Sequence, residues 1–573
     1  MSTTRWATST RLTSSVSSTA APASNRDDVS VSIKPRRPAK GDSPDQIVKG
    51  FLDAMRATPA ITTTVAREFL TKEASVDWHP TGMVVYGTAL TPKGSNQGVE
   101  ATLTNADRLD SRGAWLGPVS DDDLTVEFGM ELEDGKEWRI AQPPPYLMVP
   151  QQWFAQRFQQ ASLYFFDPSA KILVPEPVFV PRGPQFVSSL VNALLQATPP
   201  ELAGTEQSYF PRDLRSLPVS VPPDGVAQID LTSDTVETAV PSPEQVELMV
   251  SQLAWTLRQV PTVKGFRMTI DGHSVQLPGE PQFSVDHGHE YAPYVAGSST
   301  QLFGLEDGLM VGGSPQNLVH VAGPFGQPGF SLRSVTPDLQ ATEAAGVSVD
   351  GTTLSLAPVK DSGGQPRDLI TTGEDLLRPA WDFNGRLWEV DRRATGAAVS
   401  VLDLRTGEMA PLTVDGISGK DVKRFLISRD GSRLIAVIRL DADNDSIVVS
   451  RIVATGDGQV VSALSAEDVT DPDNLEGQIR DIAWRSATSI AVLQPVTHEL
   501  FQVRSASVDG TGTSDPPSVV QEPVLGLVGT PVDGEPIYAF TKSDDRTALV
   551  DLAGLNDEGL AVDSRLTMLA YAG

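Results

Sequence analysis

The chain of 573 residues has a net charge of −28 and no cysteine, which excludes thiol nucleophiles, disulfides and thiolate metal sites. So acidic a protein is repelled by phosphate backbones, and nucleic acid is not an expected partner. The length predicts several domains. The sequence contains no apolar run of about 18 or more residues, so no membrane-spanning helix is predicted.

The first 40 residues differ from the rest of the chain. They hold seven basic and two acidic residues, a balance of +5, so the remaining residues carry −33. They are rich in Ser, Thr and Ala and poor in apolar residues, which predicts a disordered tail or linker over 1–40. The apolar stretch of a secretory signal peptide is not found in this segment.

Residues 41–158 predict a first α+β domain. Ser43 is a favourable N-cap and Gln46 completes a capping box, so we expect a helix to begin here. Strand-like segments follow, and Asp134 and Gly135 lie at the turn of a predicted hairpin. Helices packed on a curved antiparallel sheet would fit this pattern.

Residues 159–279 predict a second, smaller α+β domain. Extended and helical segments follow one another in the order β-β-α-β-β-α-β. Ser242 repeats the N-cap signal, and Val246, Met249 and Val250 fall at helical spacing after it.

Residues 280–573 predict a β-propeller. Six times an apolar segment runs into a tight-turn signal and then into a second apolar segment. The residues at these turns are Gly308, Gly351, Gly385, Gly431, Ala487 and Gly534. The steps between them are about 43, 34, 46, 56 and 47 residues, near the roughly 40–50 residues of one propeller blade.

One repeat shows the strands of a blade in full, at 425–428, 433–440, 446–454 and 460–464. Because the steps are uneven, we expect six or seven blades, with one short blade and one that holds an insertion. The last apolar strand, 566–571, is expected to complete a blade begun earlier.

The chain from about residue 43 onwards resembles the actinobacterial LpqB lipoprotein family. The resemblance lies in the order of an N-terminal unit, a unit similar to a GerMN domain and a propeller. The segments that carry it are SPDQIVKGFLDA (43–54), AREFLT (66–71), FFDP (165–168), VPRGP (180–184) and GFRMTIDG (265–272).

This resemblance implies an extracytoplasmic accessory protein. The family is lipid-anchored at the outer face of the cytoplasmic membrane and is associated with the two-component pair MtrA and MtrB. It is thought to bind the extracytoplasmic sensor part of the kinase MtrB. The family's signal peptide and lipobox cysteine are absent from this sequence. One hypothesis is that the true start lies upstream and that residues 1–40 follow the lipidated cysteine; as written, the chain lacks the anchor.

Two segments could bind a metal ion. Residues 286–290 include His287 and His289, but two histidines at this spacing lack a further partner, which favours a solvated loop. Residues 441–445 alternate oxygen ligands as calcium loops do. They lack the glycine and the glutamate that such a loop needs, which favours a hairpin turn.

Signals for other chemistry are weak. No Gly-x-Ser-x-Gly or phosphate-loop motif occurs, and the propeller holds two histidines, His320 and His498. Trp381, Trp388 and Trp484 fall in strand parts of the repeats, where packing between blades is favoured over an exposed binding ring.

We therefore expect a non-enzymatic binding protein with two N-terminal α+β domains and an all-β propeller. By resemblance, its partner would be the MtrB sensor, and its role the modulation of MtrAB signalling and cell-envelope homeostasis. The alternatives are a propeller enzyme, hydrolase or lyase, and a glycan-binding module that acts on the envelope. The sequence indicates no cofactor, and no catalytic, metal-binding, lipidated or partner-contact residue is assigned from it. It does not give the oligomeric state.

Overall fold

The structure is a computed structural model, and it confirms two mixed domains followed by a propeller. Of the predicted tail over 1–40, residues 1–35 lie outside the described part of the chain. The described residues are 36–57, 62–94, 98–119, 123–233, 241–470, 475–497, 499–512, 516–532, 534–543, 546–554 and 559–573.

The first domain begins with the expected helix. The amide N–H of Ser43 donates to Oε1 of Gln46 over 2.9 Å, which is one half of a capping box. Phe51 and Leu52 are buried on the inner side of this helix. The helices of this domain are Pro44–Ala54, Thr62–Ala66, Lys72–Asp77 and Gln151–Arg157, with a 3₁₀ turn at Arg67–Phe69.

The strands of the first domain form two sheets, which differs from the single antiparallel sheet expected. The difference arises because Leu147–Pro150 returns parallel to Met83–Tyr86. Asp134 and Gly135 both have positive φ, 50° and 64°, as the predicted two-residue turn requires. One sheet has the order Trp115–Pro118, Asp107–Leu109, Met83–Tyr86, Leu147–Pro150, and the other Thr88–Ala89, Val99–Thr104, Leu124–Glu133, Glu137–Gln142, with Lys93–Gly94 on Val99–Thr104.

The second domain has the predicted order β-β-α-β-β-α-β, followed by two further short strands, His273–Val275 and Phe283–Ser284, the second of which lies beyond residue 279. Its long helix connects two parallel strands, Val226–Ser233 and Gly265–Ile270, and begins where Oγ of Ser242 accepts from the amide of Gln245 over 3.2 Å. In chain order the elements are Phe158–Phe166, Leu173–Pro181, helix Phe186–Leu194, 3₁₀ turn Pro200–Leu202, Leu214–Ser216, Val226–Ser233, helix Pro243–Arg258, Gly265–Ile270, His273–Val275, Phe283–Ser284 and 3₁₀ turn His289–Tyr291.

The rest of the described chain contains six four-stranded antiparallel sheets, the blades of one ring. A further short strand, Glu467–Asp468, pairs with the third strand of blade 4, and a 3₁₀ turn lies at Pro324–Gly326. From the innermost strand outwards, the blades are: blade 1, Leu566–Tyr571, Leu302–Glu306, Leu309–Ser314, Asn317–His320; blade 2, Leu332–Pro337, Glu343–Ser348, Leu354–Pro358, Arg367–Ile370; blade 3, Ala380–Trp381, Arg386–Arg393, Gly396–Asp403, Glu408–Leu412; blade 4, Val422–Ile427, Arg433–Arg439, Asp445–Ala454, Val460–Ala463; blade 5, Asp481–Ser486, Ser489–Pro495, Phe501–Ser507, Ser518–Val520; blade 6, Val524–Val528, Tyr538–Lys542, Thr547–Asp551, Leu560–Ala561.

The ring closes through the last strand, as expected. Leu566–Tyr571 lies antiparallel to Leu302–Glu306 and supplies the innermost strand of blade 1. The two ends of the propeller sequence therefore share one sheet. This closure leaves each inner sheet edge beside a neighbouring blade rather than exposed.

Of the two causes expected for the uneven spacing of the sequence repeat, the inserted segment is found and the short blade is not. The first two turns, at Gly308 and Gly351, join the second and third strands of a blade, whereas from Gly385 onwards the turn joins the first and second strands. The step of about 34 residues therefore reflects a change of hairpin, not a short blade. The long step in blade 4 accommodates the added strand Glu467–Asp468.

Candidate functional site: the distal face and channel of the propeller

One face of the ring, here called the joint face, packs on the second domain. It consists of the turns that join first to second and third to fourth strands. Nη2 of Arg433 donates to the carbonyl of Pro175 over 2.8 Å, and the amide of Ala454 donates to the carbonyl of Gly204 over 2.9 Å. These contacts fix which end of the propeller the N-terminal domains occupy.

A cluster of buried charges, here called the charged joint, connects all three domains. Arg112 of the first domain pairs with Glu206 of the second over 2.7 Å. Glu176 of the second domain pairs with Arg433 over 2.8 Å and also with Arg451, both in blade 4. Four of these five side chains are 8% exposed or less. Such burial makes the pairs sensitive to loss of either partner.

The pKa shifts in the charged joint follow from its geometry. Burial would raise the pKa of Glu176, but the three nearby guanidinium groups of Arg451, Arg433 and Arg112 outweigh it and lower the pKa to about 2. Burial and the negative charge of Glu176 raise the pKa of Glu206. The side chain of Glu176 therefore stays ionised and supplies the negative charge of the charged joint.

The opposite side of the ring, here called the distal face, carries the turns between second and third strands. Three of these turns begin with an exposed apolar residue at the same position, directly after the second strand. Val349, Leu440 and Val496 are 60%, 65% and 52% exposed. Asp350 and Asp441 follow the first two and are also exposed. The distal face therefore presents apolar tips next to acidic side chains.

The central channel opens towards the distal face in a cavity of about 350 Å³. The first halves of the inner strands and the segments before them line it. Its cationic lining residues are Arg333, Arg378, Arg392 and Arg424. Arg424 pairs with Asp481 over 3.1 Å, and Arg333 and Arg392 share the carboxylate of Asp375.

At the other end the channel narrows to a cavity of about 40 Å³ against Arg429. The guanidinium of Arg429 donates to three neutral oxygens, the carbonyls of Tyr294 and Ala572 and Oγ1 of Thr530, over 2.7–3.0 Å. Burial lowers the pKa of Arg429 to about 10. This residue ties the channel wall to the segment that leads into the propeller.

The segments considered for metal binding have other roles in the described structure. Nε2 of His287 lies 2.7 Å from a carboxylate oxygen of Glu247 on the long helix, and His289 is exposed. Oδ1 of Asp441 accepts from the backbone amides of Asp443 and Asn444, which closes the hairpin turn. Within the described residues, no group of three or more potential metal-ligating side chains is found.

The three tryptophans are buried between strands and do not form an exposed ring. The indole N–H of Trp381 donates to the carbonyl of Thr336 in the preceding blade over 3.0 Å, and that of Trp484 donates to Ile427 in its preceding blade over 3.1 Å. Trp388 donates to Asp382 within its own blade over 2.8 Å. His498 lies outside the described residues.

Sequence reasoning missed the channel arginines, the apolar tips and the charged joint. The arginines belong to blades 2, 3 and 4, and the packing of these neighbouring blades brings them together. A usable signal would have been an arginine near the start of successive first strands, as at Arg333, Arg378 and Arg424.

Three family models match the chain in this order. The model described as "Lipoprotein LpqB, N-terminal domain" matches residues 37–155, and "Sporulation and spore germination" matches 162–276. "Lipoprotein LpqB beta-propeller domain" matches 308–543.

Curated relatives of similar length carry the name lipoprotein LpqB. One from Thermobifida fusca is 25% identical over 579 residues, which covers 89% of this chain and 88% of the relative. One from Cutibacterium acnes is 26% identical and covers 88% of this chain and 86% of its own. One from Mycobacterium tuberculosis is 26% identical and covers 92% of both.

Solved structures match parts of the chain with low TM-scores. A chain of a nidogen/laminin complex covers 48% of this chain and 98% of its own, at 12% identity and a TM-score of 0.34. TolB from Acinetobacter baumannii covers 59% and 88%, at 12% identity and 0.33. The first GerMN domain of GerM from Bacillus subtilis covers 22% and 97%, at 19% identity and 0.19. In the part of the chain that the structure describes, no helix is both long and apolar enough to cross a membrane.

Proposed function

Since this chain belongs to the LpqB lipoprotein family, we propose that it is an extracytoplasmic accessory protein that binds the sensor part of the kinase MtrB. It acts by binding and not by catalysis, and it modulates MtrAB signalling and envelope homeostasis. The name lipoprotein, carried by its relatives, supports a position at the outer face of the cytoplasmic membrane.

The observation that carries this proposal is the pattern on the distal face. Isolated exposed apolar residues are common on protein surfaces. Here Val349, Leu440 and Val496 occupy the same turn position in three blades, and all three project from the same face of the ring. In protein interfaces a few residues near the centre of the patch contribute most of the binding energy, and burial of exposed apolar side chains is favourable.

The charges on this face indicate the chemistry of the docking surface. Asp350, Asp441 and Glu499 are exposed beside the apolar tips. A partner surface with apolar residues flanked by Lys or Arg would complement them. The joint face is occupied by the second domain, which supports the distal face as the proposed docking side for the sensor.

Such docking would influence the kinase by a population shift. A protein that binds one conformation of the sensor more tightly than another moves the equilibrium by the difference in affinity. The charged joint holds the propeller at a fixed orientation to the two N-terminal domains. The distal face is thereby kept pointing away from the domain that precedes it.

The experiment measures the affinity of the purified chain for the purified extracytoplasmic domain of MtrB. The test variant combines Val349→Ser, Leu440→Ser and Val496→Ser on the distal face. The control variant combines Val319→Ser, Val461→Ser and Val519→Ser, whose residues are 56–57% exposed on outer strands. We expect the test variant to lose about tenfold or more in affinity, and the control to bind like the wild type.

Two results would contradict the proposal. The first is the absence of binding by the wild-type chain at sensor concentrations up to the millimolar range. The second is an equal loss of affinity in both variants, which would place the contact away from the distal face.

A further inference from the structure

Among the described residues, one arginine of the channel makes no hydrogen bond or ion pair. Arg378 lies midway along the channel and lines both of its cavities. Its guanidinium makes no hydrogen bond or ion pair in the described structure, although it carries five N–H donors. Burial lowers the pKa of Arg378; Asp481 opposes this effect and Arg424 adds to it. A guanidinium in such surroundings is stabilised by any anion that reaches it.

The carboxylates near Arg378 are already engaged. Asp481 accepts from Nε of Arg424 over 3.1 Å and from the backbone amide of Leu527 over 2.8 Å. Asp375 is shared by Arg333 and Arg392. At this cavity the four arginines face only two aspartates, Asp375 and Asp481, among the described residues. The wall of the cavity therefore carries a surplus of positive charge.

Two further polar atoms on the cavity wall lack partners. Oγ of Ser334 and Nε of Arg392 are buried, and neither has a hydrogen-bond partner among the described residues. Both residues line the same cavity as Arg378. Buried donors without acceptors are rare in folded proteins and call for a ligand or an ordered water.

The cavity has the size and wall composition of a small-molecule site. Its volume of about 350 Å³ lies in the range of roughly 300–1,000 Å³ found for ligand pockets. Apart from the arginines, its wall is largely apolar, with Leu376, Leu525, Phe540 and Met568 among its residues. A ligand with an anionic group and a carbon framework would match both parts of the wall.

We propose that the distal mouth of the channel is a binding site for an oxyanion, a carboxylate or phosphate group, with Arg378 as its principal ligand. Arg392 and Ser334 contribute further donors, and Arg424 adds positive charge. This site goes beyond the docking role, because it takes a chemical group and not a protein surface. The attraction is local, since the chain as a whole carries −28.

The test uses the full chain and isothermal titration calorimetry at constant ionic strength. The probes are inorganic phosphate, pyrophosphate, citrate and a tetraglutamate peptide. We expect saturable binding of at least one probe, with affinity lowered about tenfold or more in Arg378→Gln. Arg378→Lys keeps the charge but loses the planar fork, and we expect an intermediate affinity.

Arg405→Gln is the matched control. Arg405 also lies on the propeller, but its side chain is 69% exposed and pairs with Asp403 at the surface. We expect this variant to bind the probes like the wild type. The melting temperature of each variant shows that it is folded, and Arg378→Gln should melt no lower than the wild type because it removes an unpartnered charge.

Each outcome bears on the proposal. Arg378-dependent binding of phosphate, pyrophosphate or citrate supports a free small anion as the ligand. Arg378-dependent binding of the tetraglutamate peptide alone supports an acidic side chain as the source of the carboxylate. If no probe binds above a chloride control, or if Arg378→Gln and wild type bind equally, the site does not exist as proposed. None of these results depends on binding to MtrB.

Discussion

Replacement of Glu176 by glutamine should loosen the propeller from the domains before it. The carboxylate of Glu176 accepts from Arg433 over 2.8 Å and from Arg451, and both arginines lie in blade 4. Glutamine keeps the shape and one acceptor oxygen but removes the charge. Two buried guanidinium groups then face each other without their shared anion.

The size of the effect follows from the burial of the pair. The side chains of Glu176 and Arg433 are 8% and 2% exposed, so water cannot replace the lost partner. Breaking a buried ion pair on one side costs about 3–5 kcal/mol, whereas an exposed pair contributes about 0–1 kcal/mol. We expect Glu176→Gln to lower the free energy of opening the joint by about 3 kcal/mol, which corresponds to about a hundredfold change in population.

Hydrogen exchange measured by mass spectrometry tests this expectation. Amides of Leu173–Pro181 and Asp445–Ala454, which carry the joint, should exchange about a hundredfold faster in the variant, while Phe186–Leu194 changes little. Asp403→Asn, which removes a surface pair with Arg405, is the control and should leave exchange unchanged. A change in the joint amides no larger than that of the control would show that the charge of Glu176 does not hold the joint closed.

Three other changes have defined outcomes. Burial and Asp391 raise the pKa of Glu389 to about 8, so the free energy of unfolding of the wild type should fall as pH rises from about 5 to 8, by up to about 1.4 kcal/mol per pH unit. Glu389→Gln should abolish this pH dependence in urea unfolding. Parallel pH profiles of the variant and the wild type would contradict the prediction. Trp484→Phe leaves the carbonyl of Ile427 in the preceding blade without its donor and should cost about 1–3 kcal/mol in the same assay; an unchanged free energy of unfolding would contradict this. Removal of the strand Leu566–Tyr571 takes away the inner strand of blade 1 and should abolish the cooperative unfolding transition of the propeller; an unchanged transition would show that this strand does not close the ring.

The parts of the fold that were predictable from the sequence depend on neighbours in the chain. Ser43, Gln46 and Ser242 mark helix starts because a cap requires residues only two or three positions apart. Asp134 and Gly135 predict a hairpin because positive φ at two successive residues suits few other side chains. The repeat of such turns was enough to predict a propeller.

The remaining features depend on contacts between distant segments. A turn signal does not show which two strands of a blade it joins, so the change of hairpin after Gly351 has the same spacing in the sequence as a short blade. The pair of Glu176 with Arg433 spans two domains, and Arg378 lies near Arg424 because neighbouring blades pack against each other. No local pattern around any of these residues distinguishes it from a solvated charge.

If the distal face of the propeller receives the partner, a hydrogen-exchange footprint of the chain with the extracytoplasmic domain of MtrB will show it. We expect protection in the turns that begin at Val349, Leu440 and Val496, with no change at the outer strands that carry Val319 and Val519. Protection confined to the first two domains or to the outer strands, with these three turns unchanged, would contradict it.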